Sequence, residues 1–134
     1  MSPLRRRPRD DLARYRQGLI GVDRAARNMR VAIRRIAAVL DQGQQLPPAL
    51  ADILDELAGA LHLLHEEVGQ EPRPGKAGAA LTALAARLDP EELGAHTMSE
   101  NVVVAQVRSA VVDLLGAIGV QLPDARALLP PTPS

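Results

Sequence analysis

Cysteine, tryptophan and phenylalanine are absent from the sequence, and Tyr15 is its single aromatic residue. Without thiols there is no disulfide, no thiolate metal site and no cysteine nucleophile. That composition is compatible with a reducing cytoplasm. Without aromatic side chains, a core has to be built from Leu, Val, Ile and Ala, the residues of close-packed helix seams. The stacking platforms of single-strand nucleic-acid binders also lack their material. Long apolar runs are missing as well. The most apolar stretch, 102–118, is interrupted by Gln106, Arg108, Ser109 and Asp113, so no transmembrane span is expected. Arg5, Arg6 and Arg7 imitate the start of a secretory signal, but no apolar segment follows them.

What is present is an ordinary apolar fraction, 46% of 134 residues, enough for one domain with a modest core. The net charge of zero hides an asymmetry. Residues 1–35 hold eleven Arg and three Asp, and the other 99 residues hold five basic and thirteen acidic side chains. A basic first third on an acidic body implies internal complementarity or an anionic partner.

The strongest pattern lies in Leu12–Leu40. Apolar residues fall at Leu12, Tyr15, Leu19, Val22, Ala26, Met29, Ile33, Ile36 and Leu40, in alternating steps of three and four. This heptad seam predicts a long amphipathic helix that buries the seam. Arg16, Arg27, Arg30 and Arg34, with Asp23 among them, flank it. Asp10 and Asp11 predict the helix start and Gly43 its stop, over about 32 residues. Residues 1–9 then form a basic, flexible lead. Gly18 and Gly21 mark a kink or a place where another helix packs close, the kink being the plainer reading.

A second helix begins at Pro47-Pro48, with a seam of Leu50, Leu54, Leu57, Leu61, Leu64 and Val68. Residues 69–75 form a loop around Pro72 and Pro74. A third helix covers about 76–88, presenting Leu81, Leu84 and Leu88. One helical turn and a loop occupy 91–98. A fourth helix runs from a Ser99 cap to about Ile118 with Val104, Val107, Val111 and Leu114 on its seam, closed by Gly119. A short helix starts at Pro123-Asp124, and 130–134 is a disordered tail. The expectation is an all-α, up-and-down four-helix bundle over 10–129 with a long first helix.

Chemistry-bearing constellations are sparse. His62, His65 and Glu66 share a helix at ligand spacing, but the facing helices lack the carboxylates a bundle metal site needs. The serines have no nucleophile-elbow context and no phosphate-binding glycine loop appears. No enzyme activity, metal or cofactor is therefore expected. The arginine line has two readings. It binds phosphates, or it forms ion pairs, Asp23 with Arg27 at i+4 and the other arginines with acidic residues of the second helix. The second reading weighs more, and sequence-specific nucleic-acid binding is not expected.

Two stretches, Tyr15–Arg35 (YRQGLIGVDRAARNMRVAIRR) and Glu100–Pro130 (ENVVVAQVRSAVVDLLGAIGVQLPDARALLP), carry a family likeness. Val22-Asp23, Arg27-Asn28, Arg30, Arg34-Arg35, Val104, Gln106 to Ser109 and Val112 to Leu115 are the features concerned, with Pro47-Pro48 after a short connector. They resemble the C-terminal cytosolic region of actinobacterial FUSC-type membrane proteins, the fusaric-acid-resistance and aromatic-acid-exporter-like family. The resemblance implies a cytosolic assembly or regulatory domain, peripheral at the inner face of the plasma membrane, without the membrane half. Asp23, Arg27, Arg30 and Arg108 then stand as motif positions. The alternatives are a bundle that binds nucleic acid through the arginine flank, and a small helical adaptor for a protein partner.

The first helix is expected to outrun its neighbours at its N-terminal end. Leu12, Tyr15 and Leu19 would then form an association seam for the transporter's membrane part or for other copies of the chain. Arg5, Arg6, Arg7 and Arg9 would suit anionic lipid.

Overall fold

The computed structural model describes residues 8–67 and 75–132. These form five helices: α1 Pro8–Asp41, α2 Pro48–Glu67, α3 Lys76–Ala86, α4 Met98–Ala117 and α5 Leu122–Ala127. Strands are absent among the described residues. Val68, Arg5 to Arg7, most of the 69–75 loop and the last two residues of the tail lie outside them. Pro8 and Arg9, expected in the lead, belong to the first turn of α1, where proline's fixed φ suits a helix start.

The ends of the elements follow backbone chemistry. Gly43 takes φ 74°, its N–H donates to Leu40 O, and the Gln44 N–H donates to Val39 O. That pair is a Schellman closure. Gly119 at φ 101° repeats it with Gly116 and Leu115. A third copy closes a single turn at Gly94, where the Ala95 N–H donates to Pro90 O. This is the lone helical turn expected before α4. The cap of α4 is Thr97 rather than Ser99. Its hydroxyl accepts from the Glu100 N–H at 3.1 Å while the Glu100 carboxylate accepts from the Thr97 N–H at 3.0 Å. The Thr-x-x-Glu spacing of a capping box was visible in the sequence.

The organising helix is α4, although the strongest sequence pattern lies in α1. Val103, Val104, Val107, Ala110, Val111, Leu114 and Leu115 are all buried, so α4 is apolar on more than one side. It packs on α1, α3 and α5, while α2 packs on α3. Leu50, Ile53 and Leu57 of α2 and Leu81, Leu84 and Leu88 from α3 and its end complete the core. In α2 the buried row is turned slightly from the expected seam. Ile53 and Ala60 are buried, whereas Leu61 is exposed.

The main correction concerns α1, which buries a different face. Its buried residues are Gly21, Ala25, Ala32 and Val39, with Gly18, Asn28, Met29 and Ile36 half-buried. At about 100° per residue, this row is turned about 100° from the heptad seam. Leu12, Tyr15, Leu19, Ile33 and Leu40 remain 65%, 68%, 53%, 59% and 55% exposed, and Val22 and Ala26 are exposed as well. Small residues win because they admit a closer neighbour. A Cβ at Gly21 would stand 2.7 Å from Asp113 O and 2.8 Å from Ala117 Cβ. The glycines therefore mark close packing within one uninterrupted helix.

Candidate functional site

Two surfaces stand out, the outer face of α1 and a groove beside α4. The register of α1 on α4 fixes both. Gly18 and Gly21 lie against Ala117, and Asn28 lies against Asp113, so the helices run antiparallel. Ala117 ends α4 opposite Gly18, and Arg9 to Gln17 run past it with every residue exposed. The expected N-terminal overhang is therefore present, with Leu12 and Tyr15 on it.

The exposed apolar stripe continues from the overhang along the whole of α1 through Leu19, Val22, Ala26, Ile33 and Leu40. Arg16, Arg27, Arg30 and Arg34 line its edge away from α4. Asp23 and Arg27 form the expected i+4 pair, at 2.9 Å with both side chains largely exposed. The expected ion pairs with α2 are not made among the described residues. Glu56 of α2 instead pairs with Arg87 at the end of α3. Packing α1 by its small-residue face turns the arginines away from α2. Arg16, Arg30 and Arg34 are exposed and have no ion pair among the described residues.

Arg108 is the one motif arginine drawn into the fold. Its guanidinium donates to Leu88 O, just past α3, and to Pro130 O at 2.7 Å. One side chain thus ties α3, α4 and the C-terminal segment together. Burial draws its pKa below the usual arginine range, opposed by nearby Asp89. The groove runs beside it, with a volume of about 1000 Å³. Arg24, His96, Asn101, Ser109, Asp113 and Arg126 are among the residues that line it. His62 pairs with Glu66 at 3.2 Å on the exposed side of α2, and His65 is also exposed. No group of three or more His, Cys, Asp or Glu able to hold a metal ion occurs among the described residues.

Stretch 15–35 lies in α1 and stretch 100–130 covers most of α4, all of α5 and the segment after it; α1 and α4 meet at Asn28 and Asp113. The Asn28 Nδ2 donates to Asp113 Oδ2 at 2.8 Å. Neither residue stands out alone. Their shared signal is a polar side chain interrupting an otherwise small or apolar row. Burial pushes the Asp113 carboxyl above the ordinary carboxylate value, opposed by Arg24 and by the Asn28 bond. A pKa raised by folding means the ionised form is penalised in the folded chain. The associated stability is full below the unfolded value and is lost as pH rises through the folded one. Asp113→Asn keeps an acceptor for Asn28 and removes that penalty. Thermal melts at pH 7 should show the variant equal to or above the parent, with the gap closing in mild acid. A variant that melts several degrees lower at pH 7 would show that the Arg24 attraction outweighs burial.

No helix among the described residues is long and apolar enough to cross a membrane. Comparison of the chain with protein-family models, with curated proteins and with solved structures found no match.

Proposed function

We propose that this chain is a non-catalytic assembly or regulatory domain of the FUSC, aromatic-acid-exporter-like type, and that α1 is its docking element. The observation that carries this reading is the apolar stripe of Leu12, Tyr15, Leu19, Val22, Ala26, Ile33 and Leu40, left outside the core and edged by arginines. A stripe of that length on a small domain is the mark of an interaction surface. The meeting of the two family-like stretches at Asn28 and Asp113 supports the same reading, because it gives the motif positions a common packing role. In this reading α1 to α4 make up an up-and-down bundle with α5 appended. The domain sits at the cytosolic face of the membrane, with Arg5, Arg6, Arg7 and Arg9 toward anionic headgroups. The permeation path belongs to a separate membrane-spanning part.

The test is the coding DNA next to or continuous with this chain, which should specify several apolar spans. Affinity purification of the tagged chain from detergent-solubilised membranes should recover that polypeptide. A neighbourhood without spans, and no membrane protein captured, would contradict the proposal. A second reading has its own observation. Arg16, Arg30 and Arg34, exposed and without an ion pair among the described residues, suit the phosphates of nucleic acid. It would be distinguished by binding that survives physiological salt and prefers one sequence.

A further inference from the structure

We infer that the outer face of α1 is occupied by a second copy of this chain, whose α1 lies antiparallel across it about a two-fold axis at Ala26. The inference rests on the proposed role of α1 as the docking element and names its occupant.

The stripe is self-complementary about Ala26. In the antiparallel register Leu12 meets Leu40 of the second copy and Leu19 meets its Ile33. Tyr15 meets the small Ala37, and the two Ala26 residues face each other at the crossing point. All of these side chains are exposed in the single chain. A two-fold contact of this kind is isologous, so every pairing occurs twice.

Charge selects the antiparallel direction. A perpendicular two-fold axis sets the arginine edge of one α1 beside the same edge of the other. Asp23 then lies against Arg30 of the second copy, and Asp41 against its Arg9. Arg16 against Arg34, doubled, and the two Arg27 residues beside the axis are the opposing like-charge pairs. Four attractive contacts stand against three repulsive ones. A parallel pair would instead bring the arginine edge toward the flank that α4 occupies. The area suits a weak dimer. With the axis at Ala26, residues 11–41 overlap over about 46 Å, and a stripe about 10 Å wide gives about 460 Å² per copy. The total of about 900 Å² lies just under the size of a stable interface, as expected of a dimer that dissociates on dilution. The overhang contributes too, since Arg9 to Gln17 project past α4 and reach the second copy's C-terminal half.

The experiment is light scattering after size exclusion, with sedimentation equilibrium, on the full chain and on two charge reversals. The parent should be a dimer that dissociates on dilution. Arg30→Glu sets like charges at Asp23 and should weaken the dimer about tenfold. Arg34→Glu turns the Arg16 repulsion into attraction and should tighten it by a similar factor. Both positions are exposed, so the melting temperature of dilute chain should stay put, which separates association from folding. A monomer at all concentrations would overturn the inference. So would two reversals that shift the dimer in the same direction. Co-sedimentation of a monomeric chain with anionic phospholipid vesicles, weakened equally by both reversals, would assign the face to a membrane instead. The coding neighbourhood decides the transporter reading whichever way the scattering falls, so the two can fail separately.

Discussion

Gly21→Ala should lower stability even though alanine is the better helix former. In a free helix the change would gain about 1 kcal/mol. In this chain the new Cβ meets the Asp113 carbonyl oxygen at 2.7 Å and the Ala117 Cβ at 2.8 Å. The oxygen belongs to the α4 backbone and cannot swing aside. Relief requires α1 and α4 to separate along their shared face, where Ala25 and Ala32 are also buried. Overpacking of this kind costs about 1–3 kcal/mol net, or roughly 3–12 °C in a melt of a domain this size. Gly18→Ala is the internal control. Its Cβ would sit 3.6 Å from Ala117 O, an ordinary contact. That variant should hold or gain stability by up to about 1 kcal/mol. Equal behaviour of the two variants in thermal or urea unfolding would mean that α1 does not approach α4 by this face.

Arg108→Ala should cost more. The guanidinium satisfies Leu88 O and Pro130 O together, and it sits partly buried. Charged hydrogen bonds contribute about 1.5–3 kcal/mol each, and water at this half-buried site replaces part of both, so losing the pair should remove about 2–4 kcal/mol. The cation also lies just beyond the C-terminal end of α3, where the helix dipole favours it. Arg108→Lys keeps the charge but not the planar fork that spans two acceptors, and it should recover only part of the loss. Two measurements check this. Thermal melting reports the global effect, and limited proteolysis should show early cleavage beyond α5 in the alanine variant. A variant that melts with the parent and keeps its C-terminal segment protected would show that Arg108 is dispensable.

Much of the backbone plan was legible because it rests on local chemistry. Gly43 and Gly119 end helices where a left-handed residue is required, and each was readable as a stop. Leu81, Leu84 and Leu88 were readable as a buried row because no second row of large apolar residues shares α3. The face of α1 was not readable by the same rule. Two rows on that helix repeat with three-four spacing, one large and apolar, the other small. Ranking by hydrophobicity selects the first. Packing selects the second, since Gly21, Ala25 and Ala32 let two helix backbones come close and gain contact along their length. The row of small residues was itself a signal. It also implied the outcome for the charges, because rotating α1 onto that row takes Arg30 and Arg34 away from α2. The capping box at Thr97 and Glu100 was equally present in the sequence. The Asn28–Asp113 bond joins residues 85 positions apart and depends on the helix register, which periodicity alone does not set.

The central claim is that α1 turns its small residues inward and most of its heptad seam outward, with Met29 and Ile36 at the boundary. Neighbouring alanines on the two faces test it directly, in a chain with no native cysteine. Ala25 is buried and Ala26 is exposed. Single Ala25→Cys and Ala26→Cys variants, kept dilute enough to be monomeric, would be reacted with a maleimide under native conditions. The account predicts that the cysteine at 26 labels at close to the rate of unfolded chain, while the one at 25 is strongly protected. Protection at 26 with free labelling at 25 would contradict it and return the heptad seam to the core.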